Sequence, residues 1–526
     1  MSLTLLREAR VRFLTNLRDS RIRRQVGALM AGKLLGLGLL LSVMWFFLPR
    51  VAHAAAGATA PTPEMNAINT VWTLVAAFLV FGMQVGFVML EAGFARSRES
   101  VNILVEGIVD TCICGVLFWA WGFAFMFEPG TPVIGTHGFF LQGEPALYGT
   151  TGIPLLAYWV FQFAFADTAS TITSGAMIGR CSFWGDIVYS IGVTGFIYPI
   201  IGHWSWGPDG WLAALGFKDF AGSTVVHTIG GVISLAGALA LGPRLGRVFK
   251  RDGGGPPPAH DLVIGAVGGL ILWFGWYGFN PGSTLSALDT VGIGRVSFNT
   301  TLAACAAGLT ALFISYARTR KWDLALVVNG FLGGLVAITC PCYWVDPVGA
   351  FFIGVVAAFV VVWGLDLLEY LRIDDPIGAV PVHMLAGIWG TLSLGLFAAG
   401  KYGLPGPTGA DTTAVVTGLF YGGGIEQLRI QLIGSGATTV ATLAISLGMM
   451  YALKSLGILR VSTAGELEGL DIHEHGASAY PEYVLAGVAR PSYELSRSGS
   501  GGNGGVDVRA PVLPGVSLMT SVETPD

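Results

Sequence analysis

Two histidines recur in matching surroundings. One ends Asp219-Phe-Ala-Gly-Ser-Thr-Val-Val-His227, and the other, 156 residues on, ends Asp375-Pro-Ile-Gly-Ala-Val-Pro-Val-His383. Each has an Asp eight residues upstream and a small pair just downstream, Gly230-Gly231 or Ala386-Gly387. Each also lies about one and a half turns into an apolar segment. A histidine inside a membrane is costly and faces a partner or a water-filled cavity. A single one is readily explained by a structural hydrogen bond. Two at equivalent places in a repeat point to a shared site, where one imidazole donates to the other and each keeps a nitrogen free. Histidine titrates near neutral pH, so such a pair can also relay protons.

The aromatic residues nearby suit a small cation. Trp206 closes Trp204-Ser205-Trp206-Gly207. The faces of Trp and Phe attract cations, although Trp at this depth is also the ordinary residue of an interface belt. In Trp276-Tyr-Gly-Phe279-Asn-Pro281-Gly282-Ser283, Pro281 and Gly282 would disturb a helix. Backbone and the Ser283 hydroxyl would then line a vestibule, with Trp276 lining the pore below.

These residues need a membrane around them. The 526 residues are 53% hydrophobic and 12% charged, with 76 glycines. A soluble domain carries about 25% charged residues, and glycine lets membrane helices approach closely. A net charge of −4 leaves no basic footprint for nucleic acid. Six cysteines give no disulfide framework: Cys340 and Cys342 flank Pro341, and the others read as small buried residues. Eleven spans are expected, near 67–92, 101–127, 153–179, 183–203, 222–242, 261–283, 298–317, 324–339, 345–371, 377–398 and 428–457. The histidines then fall in the fifth and tenth spans, each the last helix of a five-helix half. Five is odd, so the halves are inverted, with the working site at their interface near the midplane. The fold class expected is an all-α polytopic membrane protein with an inverted 5+5 repeat plus a final helix.

Alternate loops carry Arg96, Arg98, Arg180, Arg244, Arg247, Lys250, Arg251, Arg318, Arg320, Lys321 and Arg372, joined by Lys454 and Arg460 after the last span. The other side carries only Lys218, Arg295, Lys401 and Arg429. The richer side is expected to be cytoplasmic. Eight basic residues within 1–33, an apolar run from Leu34 to Leu48 and Ala52-His53-Ala54 suggest a secretory signal over 1–54. An uncleaved helix is the alternative. The remaining divisions are a short external segment at 55–66, the transmembrane domain at 67–457 and a tail at 458–526. That tail is Gly/Ser-rich around 496–505 and expected to be disordered after about 481.

Together these motifs resemble the ammonium transporter family, which includes the Amt, methylammonium permease and Rhesus proteins. The resemblance runs from about Asn69 to Tyr480. It is carried by the Asp219–His227, Gly275–Ser283 and Asp374–His383 stretches, and by Gly469-Leu-Asp-Ile-His-Glu-His-Gly-Ala-Ser-Ala-Tyr480. The early Gln84-Val-Gly-Phe-Val-Met-Leu-Glu-Ala-Gly93 resembles the branch shared with plant transporters. The resemblance implies twin pore histidines at His227 and His383. It implies an outer recruitment site of Trp206, Phe165 and Ser283 with Asp219 close by, and a gate of Phe165 stacked on Phe279. It further implies a homotrimer in the cell inner membrane, one pore per subunit, and ammonium or ammonia as cargo with methylammonium as analogue. A PII-type signalling protein at the cytoplasmic face is the implied partner. The added segment from Pro481 to Asp526 departs from the family pattern.

The reading is therefore ammonium transport. Ammonium and potassium are alike in size and charge, and an apolar lumen penalises either as a bare ion. Only ammonium can lose a proton and pass as a neutral molecule. An ammonium receptor and a gas channel of the same fold remain alternatives, as does a membrane oxidoreductase holding a bis-His haem. No enzymatic reaction, cofactor or metal is expected.

Overall fold

The structure, a computed structural model, describes residues 61–148, 151–411 and 414–481. The expected signal segment at 1–54 and the tail beyond 481 lie outside the described residues. Nine helices among the described residues are long and apolar enough to cross a membrane. They are α1 (Pro63–Phe94), α2 (Ser97–Phe127), α4 (Phe183–Leu215), α5 (Ser223–Leu241), α6 (Leu262–Thr284), α7 (Thr290–Thr319), α9 (Pro347–Leu371), α10 (Val380–Phe397) and α11 (Glu426–Ser455). The segments expected at 153–179 and 324–339 are also helical, as α3 (Leu155–Ser174) and the shorter apolar α8 (Leu324–Thr339). The chain is an all-α polytopic membrane protein.

Helix starts follow from capping side chains. Asp261, Asp289, Asp323 and Asp346 each accept a backbone N–H from the first turn of α6, α7, α8 and α9. Ser182 does the same for α4. Such caps satisfy donors that a helix cannot satisfy itself. Asp289 explains why α7 begins eight residues before the expected 298. The helix at 153–179 ends early, at Ser174, because a turn through Gly179 (φ +79°) follows. Cys112 and Cys305 are exposed on the bundle surface rather than buried, while Cys114, Cys181, Cys340 and Cys342 are buried.

Glycine sets the helix spacing. Gly86 and Gly93 of α1 lie against the backbone at Gly268 and Gly265 of α6, where an added Cβ would meet atoms 2.9 and 2.3 Å away. The pair α5 and α10 crosses reciprocally. A Cβ at Gly231 would meet the Met384 nitrogen at 2.4 Å, and one at Gly387 would meet the Ser223 oxygen at 2.5 Å. These two glycines are the small residues that follow each histidine. α5 is the most enclosed of the nine long helices, with 89% of its apolar window buried.

The basic loops meet at one end of the bundle, where the tail also lies. Arg318 pairs with Asp366, Arg372 with Asp252, and Arg247 with Asp374 and Glu369. The tail strand pairs with the α3–α4 turn, Ser182 N–H donating to Leu459 and Val461 N–H to Arg180. It then forms α12 (Thr463–Glu468) and α13 (Leu470–His475).

Candidate functional site

Both histidine helices begin in the same way. Asp219 Oδ1 accepts the N–H groups of Gly222 and Ser223, and its Oδ2 those of Thr224 and Val225, at 2.8–3.0 Å. Asp375 accepts the N–H groups of Gly378, Ala379 and Val380 at 2.8–3.0 Å. The turns that allow this need a left-handed residue, supplied by Gly222 (φ +112°) and Gly378 (φ +83°). Each helix then opens with a wide π turn, Ser223–Thr228 or Val380–Leu385, that carries the histidine. Such turns favour functional sites because they re-aim a side chain.

The two turns bring the imidazoles together. His227 Nδ1 and His383 Nδ1 are 3.2 Å apart, with ring centroids at 5.3 Å and planes at 24°. One ring therefore donates from Nδ1 and the other accepts. When both are neutral, the donor ring offers a bare Nε2 on its far side and the acceptor ring an Nε2–H. His227 is fully buried and His383 only 7% exposed. His227 Nε2 is buried and makes no hydrogen bond among the described residues.

A column of rings leads to the pair. Trp206 meets Phe165 edge-on at 6.2 Å, and Phe165 stacks on Phe279 at 4.0 Å. Below Phe279, His227 stacks at 5.4 Å and also lies against Trp276 at 5.1 Å. His383 follows, with Phe87 beyond it at 6.3 Å. Phe165 is held among Phe161, Trp206 and Phe279. Trp276 is fixed by its indole N–H to Thr339 Oγ1 at 2.8 Å, and Ser283 donates to the Phe279 carbonyl at 2.8 Å beside the stacked ring. Thr339 had no motif to mark it in the sequence, and the Gln84–Gly93 stretch that contains Phe87 gave that ring no role.

Asp219 is joined to this column through its backbone. Its carboxylate is spent on four backbone N–H groups of the α5 turn, so it is not a free anion facing the recruitment residues. Its link to them runs through its own carbonyl, which accepts the Trp206 indole N–H at 2.8 Å. It is a positioning residue for both His227 and Trp206.

A profile of the Ammonium Transporter Family matches residues 71–480. The chain belongs to that family. Ammonium transporter Amt2 of Archaeoglobus fulgidus is 42% identical over 443 residues, covering 82% of this chain and 91% of that protein. Ammonium transporter 1 member 3 of Solanum lycopersicum is 37% identical, covering 79% and 93%. Among solved structures, one titled Sensor Amt Protein is similar with a TM-score of 0.70 at 34% identity, covering 78% of this chain and 99% of that one. Mep2 of Candida albicans is similar with a TM-score of 0.69 at 28% identity, covering 79% and 90%. As an ammonium transporter family member, the chain carries its ring column and histidine pair inside the multi-pass fold common to these relatives.

Proposed function

We propose that this chain moves ammonium across the membrane by taking it apart. Trp206, Phe165 and Ser283 hold the cation at the outer end of the ring column, and the stacked Phe165 and Phe279 close the way to any hydrated ion. Ammonium gives up its proton there, and ammonia passes His227 and His383 as a neutral molecule able to hydrogen-bond with their free nitrogens. Potassium has no proton to lose and meets the full cost of entering an apolar passage. The observation that carries this reading is the buried imidazole pair at 3.2 Å beneath a phenylalanine stack at 4.0 Å.

Several further features belong to the same proposal. They are a cleaved signal over 1–54, a homotrimer in the inner membrane, an external mature N-terminus, a cytoplasmic tail and a PII-type partner. The test is uptake of labelled methylammonium into vesicles that contain the purified chain, with and without excess potassium. Saturable uptake that potassium leaves unchanged is expected. Binding without uptake would favour a receptor, the second reading, which the similarity to the solved Sensor Amt Protein keeps open.

A further inference from the structure

Beside the histidine column, and apart from it, five carboxyl groups are buried between α1, α2, α3 and α4. They are Glu91, Glu106, Asp110, Asp167 and Asp186, each 5% exposed or less. Among the described residues none of them makes an ion pair. The guanidinium of Arg180, buried in the α3–α4 turn, is turned to carbonyls instead, those of Gly242, Ile178 and Asp374. Five ionised carboxylates cannot stay together in a membrane interior without counter-charge.

Their partners are hydroxyls and one another. Ser190 donates to Asp110 at 2.6 Å, Thr111 to Asp167 at 3.1 Å, and Ser174 to Glu91 at 3.2 Å. Tyr189 donates to Asp186 Oδ1. Tyr189 and Ser190 are adjacent in α4, and so place Asp186 and Asp110 side by side. Glu106 lies one turn before Asp110 on the same face of α2. Two buried oxygens, Asp186 Oδ2 and Asp167 Oδ1, have no hydrogen-bond partner among the described residues. They are the places for bound protons that the hydroxyl donors leave vacant.

The groups are staggered along the bundle. Asp167 lies two residues past Phe165 on α3, near the middle. Asp110 and Glu106 step along α2 toward the end that carries the tail, and Asp186 lies in the first turn of α4 at that end. Glu91 is one turn past Phe87, the residue against His383. Asn102 lies one turn before Glu106 on α2. Asn102 is covered by the tail, its N–H donating to Asp471 at 2.9 Å and its Oδ1 pairing with His475 at 2.9 Å.

We propose that Asp167, Asp110, Asp186, Glu106 and Glu91 form a shared-proton relay, a proton site separate from the histidine pair, which exchanges protons between the middle of the membrane and the tail end as ammonium is transported. The relay clause rests on the transport reading above. Each step is a proton transfer: the O–H bond of one carboxylic acid breaks as an O–H bond forms on the neighbouring carboxylate. One proton entering near Asp167 releases one at the tail end, where ammonia takes it up as ammonium.

Two measurements test this separately. Infrared spectra of the purified, unmutated protein at neutral pH should show carboxylic acid C=O bands that disappear in Asp186→Asn and Asp167→Asn. Finding only carboxylate bands, or bands that move on adding sodium or ammonium, would mean the cluster holds a cation and would overturn the site. In vesicles, the charge moved per labelled methylammonium should be lost in Asp167→Asn/Asp186→Asn while uptake persists. An unchanged ratio would overturn the relay. Acid bands in a chain with no methylammonium uptake would uphold the proton site and reject the transport reading alone.

Discussion

Trp206 is half-buried, edge-on to Phe165, and tied to the Asp219 carbonyl, so its ring is fixed. Removing the indole in Trp206→Leu should weaken cation recruitment by about 0.5–2 kcal/mol, the range for cation–π contacts. The half-saturation concentration for methylammonium should rise, with the maximal rate changed little. An unchanged concentration dependence would take Trp206 out of the site. The histidines fail differently. His227→Asp places a fixed negative charge under Phe279, in surroundings where opposite charges attract strongly, and should let potassium through. His383→Ala adds no charge and should lower flux without a potassium leak. Current on solid-supported membranes with each cation alone separates the two. A His227→Asp variant that excludes potassium yet conducts ammonium would remove the main support for selectivity by proton loss.

At the scale of the element, the histidine geometry depends on how closely α5 and α10 cross. A Cβ at Gly387 would meet both the Ser223 oxygen and Thr228 Oγ1 at 2.5 Å, and backbone cannot yield as a side chain can. Gly387→Val should therefore push the π turns apart and abolish methylammonium uptake in protein that still reaches the membrane. Wild-type uptake by this variant would show that the crossing tolerates expansion. Much of this was legible in the sequence, because the Asp, the glycine, the histidine and the small pair recur at fixed offsets and each has a local physical task. The capping task of the Asp219 carboxylate was not legible, because a cap and a free anion look alike in a string of letters; only the four N–H partners tell them apart. The carboxyl cluster was not legible, since its members come from four helices and no local spacing joins them. The loop after α2 adds a pH response. Burial, then the hydrogen bond and charge of Glu144, push the Glu128 carboxyl up to about 8. An unfolded Glu titrates near 4.3. Between those values the folded loop keeps a proton that the open loop releases, so loop stability falls as pH rises from about 4 to about 8 and is level above. Hydrogen-exchange protection across residues 128–148, taken relative to the intrinsic rate at each pH, should fall over that window, and Glu128→Gln should flatten the response.

Across the whole molecule, the tail is joined by contacts to the start of α10. Glu466, 2% exposed, accepts from Leu245 N–H at 2.5 Å and from Arg460 at 2.7 Å. Next to Leu245, Arg244 holds Asp374 with two side-chain bonds at 2.8 and 2.9 Å. Burial opposes ionisation of Asp374, but the hydrogen bonds and charge of Arg244, with the charge of Arg180, hold its carboxyl well below the usual carboxylate range. The neighbouring Asp375 caps the turn that carries His383. Arg98 binds the Leu467 carbonyl, Asn102 binds Asp471 and His475, and His260 pairs with Tyr480, so the segment from 460 to 480 also clasps α2 and the α5–α6 loop of its own chain. A chain of contacts carries regulation only if its elements have two arrangements that both ends bias, and this one offers a removable end. Truncation after Pro481 leaves every one of these contacts and should leave methylammonium uptake intact. Truncation after Arg460 removes Glu466 and with it the acceptor of the Leu245 N–H, and should lower uptake. Glu466→Ala in the full chain should lower it in the same direction, because it frees the Leu245 N–H and breaks the ion pair with Arg460 while α13 can still dock. Equal uptake by the two truncated forms would mean that the tail is held by the bundle without acting on it.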